Sequence, residues 1–336
     1  MAHKLTNSRP LISIVLSTFN GSAYLQEQID SILTQSYPHF ELIITDDAST
    51  DGTINLIRDY EKKDDRIISL FHDRNQGISN NLAHALLRTN GAYIAISDQD
   101  DIWLQDKIEV LLNNIRPYAA IYADSMLINP KGISLDKTLH EQMKKDRAFQ
   151  GNNPLKLLYR NYVSGHALLF KRDLLEYCLP FSEEIMYDRQ LAIAAALSGG
   201  VAFYDRPLVC HRMHKNNQTN RLLIENKRHS AKIESVSERR RRKRAHIIKT
   251  FDFTCTMRRK LSSTGKAFGQ PEQEVLDKLL HHYRKFEETF FNVSFFLMLL
   301  KYRNDIFFYY RKNKILRCMK TAIGNKLYRF FSRQLL

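Results

Sequence analysis

Cysteine is scarce in this chain, and the four residues present do not pair: Cys178, Cys210, Cys255 and Cys318 lie far apart, with no CxxC pair and no zinc-like spacing. A disulfide framework and a structural zinc are thereby disfavoured, and reduced thiols in a cytosolic protein are expected. Long apolar runs are missing too. The best candidate, "FFNVSFFLMLL" at residues 290–300, falls far short of the ~20 apolar residues that a membrane span needs. The "LISIVL" that follows the polar start "MAHKLTNSRP" is too short for a secretory signal core. Neither classical secretion nor membrane integration is expected. There is no internal repeat and no low-complexity linker, and "STFNGSAYL" stands where a glycine-rich phosphate loop would follow the first strand. That last absence argues against a nucleotidyltransferase.

Negative charge is thin in one part of the chain only. The 336 residues carry a net charge of +15, but from Arg221 onward 28 Lys+Arg face 10 Asp+Glu, or +18, which leaves −3 for the first 220. Two regions with different partners are implied. The overall composition, 43% hydrophobic and 26% charged, is that of a globular protein with one large or two modest domains.

In the first hundred residues, short β-branched runs alternate with amphipathic helical patterns, the mark of a parallel α/β sheet. "LISIVLST", "FELIIT", "RIISLFH" and "AYIAIS" read as strands. Between the first two, "GSAYLQEQIDSILTQS" reads as a helix with Ser22 as its cap and Pro38 beyond its end. Ligands gather outside the carboxyl ends of the strands in such sheets. The polar clusters at residues 17–21, 46–52 and 98–101 are therefore expected at one edge. Further on, "AAIYADSMLI" and "SGHALLF" read as strands, "YDRQLAIAAALSG" as a small-residue helix and "VAFYDRPLVCHRMH" as extended chain.

The cluster "SDQDDIW" places Asp98, Asp100 and Asp101 within four positions. Carboxylates at i and i+2 of an extended segment face the same side, and such a group repels itself unless a cation or hydrogen-bond donors sit within it. Mn²⁺ or Mg²⁺ holding a diphosphate would answer that need. A solvated acidic turn, with Asp101 capping a helix through "IWLQDKIEVLL", is the plain alternative. The pair Asp46 and Asp47 raises the same question: an aspartate there can accept hydrogen bonds from a base or a ribose, or it can simply form a turn.

Together, "ISIVLSTFNGSAYLQEQIDSILTQSYPHFELIITDDASTDGT", "NQGISNN" and "GAYIAISDQDDIWLQDKI" resemble family 2 of the inverting, nucleotide-sugar-dependent glycosyltransferases, which have the GT-A fold. The "SDQDDIW" form also resembles the bacterial rhamnosyltransferase-like subgroup of cell-surface polysaccharide synthesis. This resemblance implies an α/β GT-A domain over residues 1–220, with a nucleotide-sugar half (about 10–112) and an acceptor half (113–220). A basic, mainly helical region would follow at 221–336. It also implies that Thr18 and Asp47 contact the nucleobase with Asp46 beside them, Asp98 lies near ribose and diphosphate, and Asp100 binds the metal. Asp101 completes the motif without a separate assigned role. Asp188 in "YDRQLAIAAALSGG" matches the catalytic base; Arg189 and Gln190 replace the aromatic pair frequent after that acid. "CHRMHKNNQT" resembles a segment in which His214 ligates the metal and Arg212 neutralises the diphosphate, although an Arg/His-rich surface loop would look the same.

The expected activity is inverting transfer from a nucleotide-diphosphate sugar, dTDP-rhamnose or a UDP-hexose, to a saccharide or lipid-linked saccharide acceptor. A binding module that has lost the base is the rival reading. The six basic residues at 239–244 lack any nucleic-acid fold motif, so no nucleic-acid partner is expected. With the aromatic and apolar segments after them they suit an anionic membrane surface instead, and a peripheral place on the inner face of the cytoplasmic membrane.

Overall fold

A computed structural model describes residues 9–143, 148–215, 217, 236–263, 270–285, 292–307 and 313–322. The chain begins by alternating β1 (Ile12–Thr18), α1 (Leu25–Leu33), β2 (Phe40–Asp46), α2 (Thr53–Glu61), β3 (Ile67–Phe71), α3 (Ile78–Leu86) and β4 (Tyr93–Ser97). β1 lies parallel to β2 and β4, and β2 parallel to β3. Strand period decides which side chain meets which layer. Ile12, Ile14 and Leu16 pack with Leu25, Ile29 and Ile32 of α1 on one face, while Val15 packs with Leu82, Ala85 and Leu86 of α3 on the other. Both faces are covered, which is why these strands read as continuous apolar runs.

The chain continues through β5 (Ile102–Trp103), α4 (Lys107–Asn114), β6 (Ala120–Ile128), β7 (Ser134–Thr138), α5 (Leu139–Gln142), β8 (Leu168–Lys171), α6 (Leu175–Cys178), α7 (Tyr187–Ser198) and β9 (Val201–Arg212). Among the described residues one sheet runs β3-β2-β1-β4-β8-β6-β9-β5, with β7 on β6. β6 and β9 are parallel, but β8 runs antiparallel to both β4 and β6. The sheet is thus wholly parallel at its start and mixed beyond β4.

Two local expectations fail. Ser22 does not cap α1: the helix starts at Leu25 without a side-chain cap, and the Ser22 N–H is drawn instead to Asp51 at 3.1 Å. Asp101 does not cap a helix either, because "IW" forms β5 against Cys210 and Val209 of β9, and α4 begins only at Lys107.

The remaining described helices are α8 (Val236–Ser263), α9 (Gln270–Arg284), α10 (Val293–Lys301), α11 (Arg303–Ile306) and α12 (Lys314–Ala322). They share cores with the sheet region. Met257 and Leu261 of α8 join the cluster around α7, while Phe251 and Cys255 gather Leu155, Leu158, α9 and α10 into another. Each such buried side chain contributes roughly 1.5–3 kcal/mol. Residues 221–235 and the side chains of 236–243, which include most of the basic run at 239–244, lie outside what is described, and among the described residues no helix is long and apolar enough to cross a membrane.

Candidate active site

Parallel register brings the expected clusters to one edge. Thr18 at the end of β1 stands opposite Asp46 of β2, and Leu16 opposite Ser97 of β4. Side chains then lace the loops together: the Phe19 N–H donates to Gln99 Oε1 at 2.8 Å, and the Asn20 N–H to Ser49 Oγ at 2.8 Å.

The first aspartate pair is saturated by its own loops. Asp46 is fully buried; it accepts from Thr18 Oγ1 at 2.7 Å, Ser49 Oγ at 2.6 Å and the Ser49 N–H at 2.8 Å. Its carboxylate is committed to holding the turn, and it does not reach the cleft. Asp47 does line the cleft, and accepts the N–H groups of Gln76 at 2.7 Å and Gly77 at 2.9 Å. Gly77 takes φ 81° there, a left-handed conformation that glycine adopts without steric cost.

The second cluster is not saturated. One oxygen from each of Asp98, Asp100 and Asp101 falls within 4.8 Å of the others. Burial, then the Asp101 and Asp100 carboxylates, push Asp98 up to about 8. Asp101 is fully buried. Its Oδ1 accepts from His211 Nδ1 at 2.9 Å and from the Arg212 N–H at 3.1 Å, yet its buried Oδ2 has no hydrogen-bond partner. Burial alone would lower His211, but Asp101, Asp98 and Asp100 lift it to about 9, making it a cation. An orphaned carboxylate oxygen amid like charges fits a hard divalent cation. His214, whose Nε2 lies 2.7 Å from Asp100 Oδ2, adds an imidazole to the same donor set.

Arg212 departs from expectation. Its guanidinium is buried and donates to the Asp100 carbonyl at 2.9 Å, the Pro130 carbonyl at 3.0 Å and Glu27 Oε2 at 2.8 Å. These bonds fix the Asp100 backbone and α1, and Arg212 is not among the side chains that line the cleft. The Tyr24 ring lies beneath it, 4.6 Å from the guanidinium carbon, and 5.0 Å from the His214 ring.

Two buried basic side chains escaped the sequence reading. His166, in the apolar-looking "SGHALLF", stacks on His211 with ring centroids 4.5 Å apart and lies 3.7 Å from Asp98. Lys107, in what reads as a helix surface, is fully buried; its Nζ donates to the His166 carbonyl at 2.7 Å and sits 3.2 Å from the Trp103 ring centroid. Burial drives its pKa well below the ordinary lysine value, against the pull of Asp101 and Asp98. No periodicity marks either residue, because their burial comes from β5 crossing over to β9.

Asp188 stands in the first turn of α7, half-buried, with Oδ1 accepting its neighbour's Arg189 N–H at 2.6 Å. The preceding Tyr187 presses on Gly165, where an added Cβ would lie 2.3 Å from the phenol oxygen. Gln190 braces the loop before α7, accepting the Ser182 N–H at 2.9 Å and donating to the carbonyls of Ser182 at 2.8 Å and Ile185 at 2.6 Å. All these elements border one cleft of ≈ 1250 Å³, lined by Thr18, Asp47, Asp98, Asp100, Asp188 and His214 among others.

A partly parallel α/β sheet with a carboxylate cleft at its edge is the architecture of the GT-A glycosyltransferases. The fold superimposes on S. aureus TarS 1–349 in complex with UDP-GlcNAc with a TM-score of 0.55 and 13% identity, over 88% of this chain and 81% of that one. It also matches the mannosyltransferase PcManGT from Pyrobaculum calidifontis, in complex with GDP-Man and Mn²⁺, at a TM-score of 0.50 and 19% identity over 83% of each chain. Residues 13–178 match the family model "Glycosyl transferase family 2", so the chain carries a domain of that family. A relative is the Bacillus subtilis protein TuaG, named as a teichuronic acid biosynthesis glycosyltransferase: 38% identical over 138 residues, 40% of this chain and 55% of TuaG. The chain spans about half the length of the first curated relatives it matches.

Proposed function

We propose that this protein is a metal-dependent inverting glycosyltransferase of surface-polysaccharide synthesis. The observation that carries the reading is the meeting of two unlike carboxylate environments in one cleft: Asp98 and Asp100 of the crowded cluster at the sheet edge, and Asp188 in the first turn of α7. The donor is a nucleotide-diphosphate sugar, dTDP-rhamnose or a UDP-hexose. The acceptor is a hydroxyl of a growing, lipid-linked saccharide; the relative TuaG is named for teichuronic acid biosynthesis.

Asp47 and Thr18 receive the nucleobase, and Asp98 faces the ribose and diphosphate. Asp100 and His214, with Asp101 in the same carboxylate cluster, would hold Mn²⁺ or Mg²⁺. A bound divalent cation supplies Lewis-acid neutralisation of the charge that grows on the leaving diphosphate. Asp188 takes the proton of the acceptor hydroxyl as its oxygen attacks the anomeric carbon from the face opposite the diphosphate, which inverts that centre. A positioned base is worth roughly 10²- to 10⁴-fold, and orientation of the two sugars supplies much of the rest.

The division 1–220 and 221–336 remains our proposal for the domains, with the second part resting against an anionic bilayer on its cytoplasmic side. Val293 and Leu297 on α10 and Ile315, Leu316 and Met319 on α12 are exposed apolar side chains, interspersed with Lys301, Lys314 and Arg317. Flotation on phosphatidylglycerol vesicles checks this: Ile315→Glu with Leu316→Glu lowers recovery with the vesicles, and equal recovery removes these residues from the membrane surface.

The deciding experiment incubates the full chain with a panel of nucleotide-sugars, with Mn²⁺ or with EDTA, and follows nucleotide-diphosphate release. Release from at least one donor, lost in EDTA and in Asp100→Ala, is expected. Donor binding without release under any condition would leave a binding module.

A further inference from the structure

The cleft has a contributor from outside the family-matched residues. His246, on α8, is one of its lining side chains, though the family match ends at residue 178. The link runs through Arg189, the neighbour of Asp188. Arg189 is buried; its Nε donates to the Leu157 carbonyl at 3.2 Å, its Nη2 to that carbonyl at 2.9 Å and to the Leu158 carbonyl, and its Nη1 lies 2.9 Å from His246 Nε2.

That contact dictates the state of the imidazole. A guanidinium has only N–H groups to offer, so Nε2 must be the acceptor and the ring proton must sit on Nδ1. Burial, then the charges of Arg189 and Lys249, lower His246 from its ordinary value and keep the ring neutral. The helix is held on both sides of it. Arg244 donates to the Tyr283 carbonyl and to the Arg284 carbonyl, Lys249 pairs with Glu184, and Phe251 is fully buried one turn further on. His246 is therefore a neutral donor at the Asp188 end of the cleft, held through Nε2 with the rest of its ring exposed, while the donor-side residues lie along β1, β2 and β4.

We propose that His246 is an acceptor-binding residue: the helical region reaches into the cleft and donates the His246 Nδ1–H to a hydroxyl of the acceptor saccharide, in a position set by Arg189. The inference rests on the glycosyltransferase reading above. It assigns part of acceptor choice to the segment after residue 220, and it gives Arg189, which replaces an aromatic residue, the work of joining Asp188 to α8.

The test separates two acceptors, water and sugar. The full chain is given the donor panel with and without octyl glycosides of glucose, galactose, N-acetylglucosamine and rhamnose. Donor hydrolysis and glycoside product are both measured. For His246→Ala the expected result is a rise of about tenfold in the KM for the productive glycoside, the scale of one lost hydrogen bond, with donor KM and hydrolysis unchanged. His246→Asn, which keeps an N–H near the Nδ1 position, recovers part of the loss. An unchanged glycoside KM in His246→Ala, or donor KM rising in parallel, overturns the inference while leaving the glycosyltransferase reading intact. Donor hydrolysis by wild type with no transfer to any of these glycosides also counts against it. Neither hydrolysis nor transfer by wild type overturns both.

Discussion

The cleft and the helical region behind it both bury ionisable groups, and they handle the charge in opposite ways. In the cleft, burial and then the neighbouring carboxylates push Asp98 up to about 8, and the carboxylates lift His211 to about 9 against its burial. In the helices, His282 is buried against Phe295, with ring centroids 3.8 Å apart, and burial drives it down to about 4, so that it stays neutral. Its Nε2–H donates to the Thr321 carbonyl at 3.1 Å. One region discards charge in order to pack; the other crowds carboxyl groups together and holds the His211 cation among them. Carboxylates retained at such a cost mark a site built for something that arrives from outside.

Four measurements would break or sharpen that contrast. The largest effect belongs to the cleft's chemistry: Asp188→Asn lowers transfer by roughly 10²- to 10⁴-fold while nucleotide-diphosphate binding, followed by calorimetry, stays close to wild type. Retained turnover would remove Asp188 as the base. Next, Asp101→Ala strips the buried His211 cation of its partner and should cost about 3–5 kcal/mol in urea unfolding; a negligible loss would mean that the cluster carries little structural charge.

The helical region supplies the third. His282 has a folded value of about 4 against an ordinary unfolded value of about 6.5. Its neutral form is favoured in the fold, so the contribution is complete above about pH 6.5 and drains away as pH falls towards 4, by up to about 3 kcal/mol. His282→Gln should flatten that part of the stability–pH curve, and an unaltered slope would refute the assignment. The smallest effect concerns the saturated pair: Asp46→Ala leaves the Thr18 and Ser49 donors unpaired, at about 1–3 kcal/mol. Asp100→Ala in metal-free protein, relieved of like-charge crowding, should lose less.

The parallel first half was readable because β-branched runs and 3.6-residue patterns are local signals, and because strand ends in such sheets collect ligands. That reasoning brought Thr18, Asp47, Asp98 and Asp100 to one cleft before any coordinates. It could not rank the aspartates. Asp46 and Asp47 are adjacent and chemically identical, yet one is sealed beneath Thr18 and Ser49 and the other faces the opening. Arg212 looks like a phosphate ligand in a basic loop, and only the return of β9 beside β5 shows it spent on Glu27 and two carbonyls.

By itself, then, the sequence determined the alternation of elements, the carboxylate-rich edge and the concentration of positive charge in the last third. Those follow from composition and from spacings of a few residues. Tertiary structure decided which carboxylate is satisfied, that His166, His211 and Lys107 are buried beside the acidic cluster, and that His246 reaches the cleft through Arg189. Most of these depend on contacts between residues from about 30 to over 100 positions apart, and on how many donors surround a given oxygen, which no local pattern encodes.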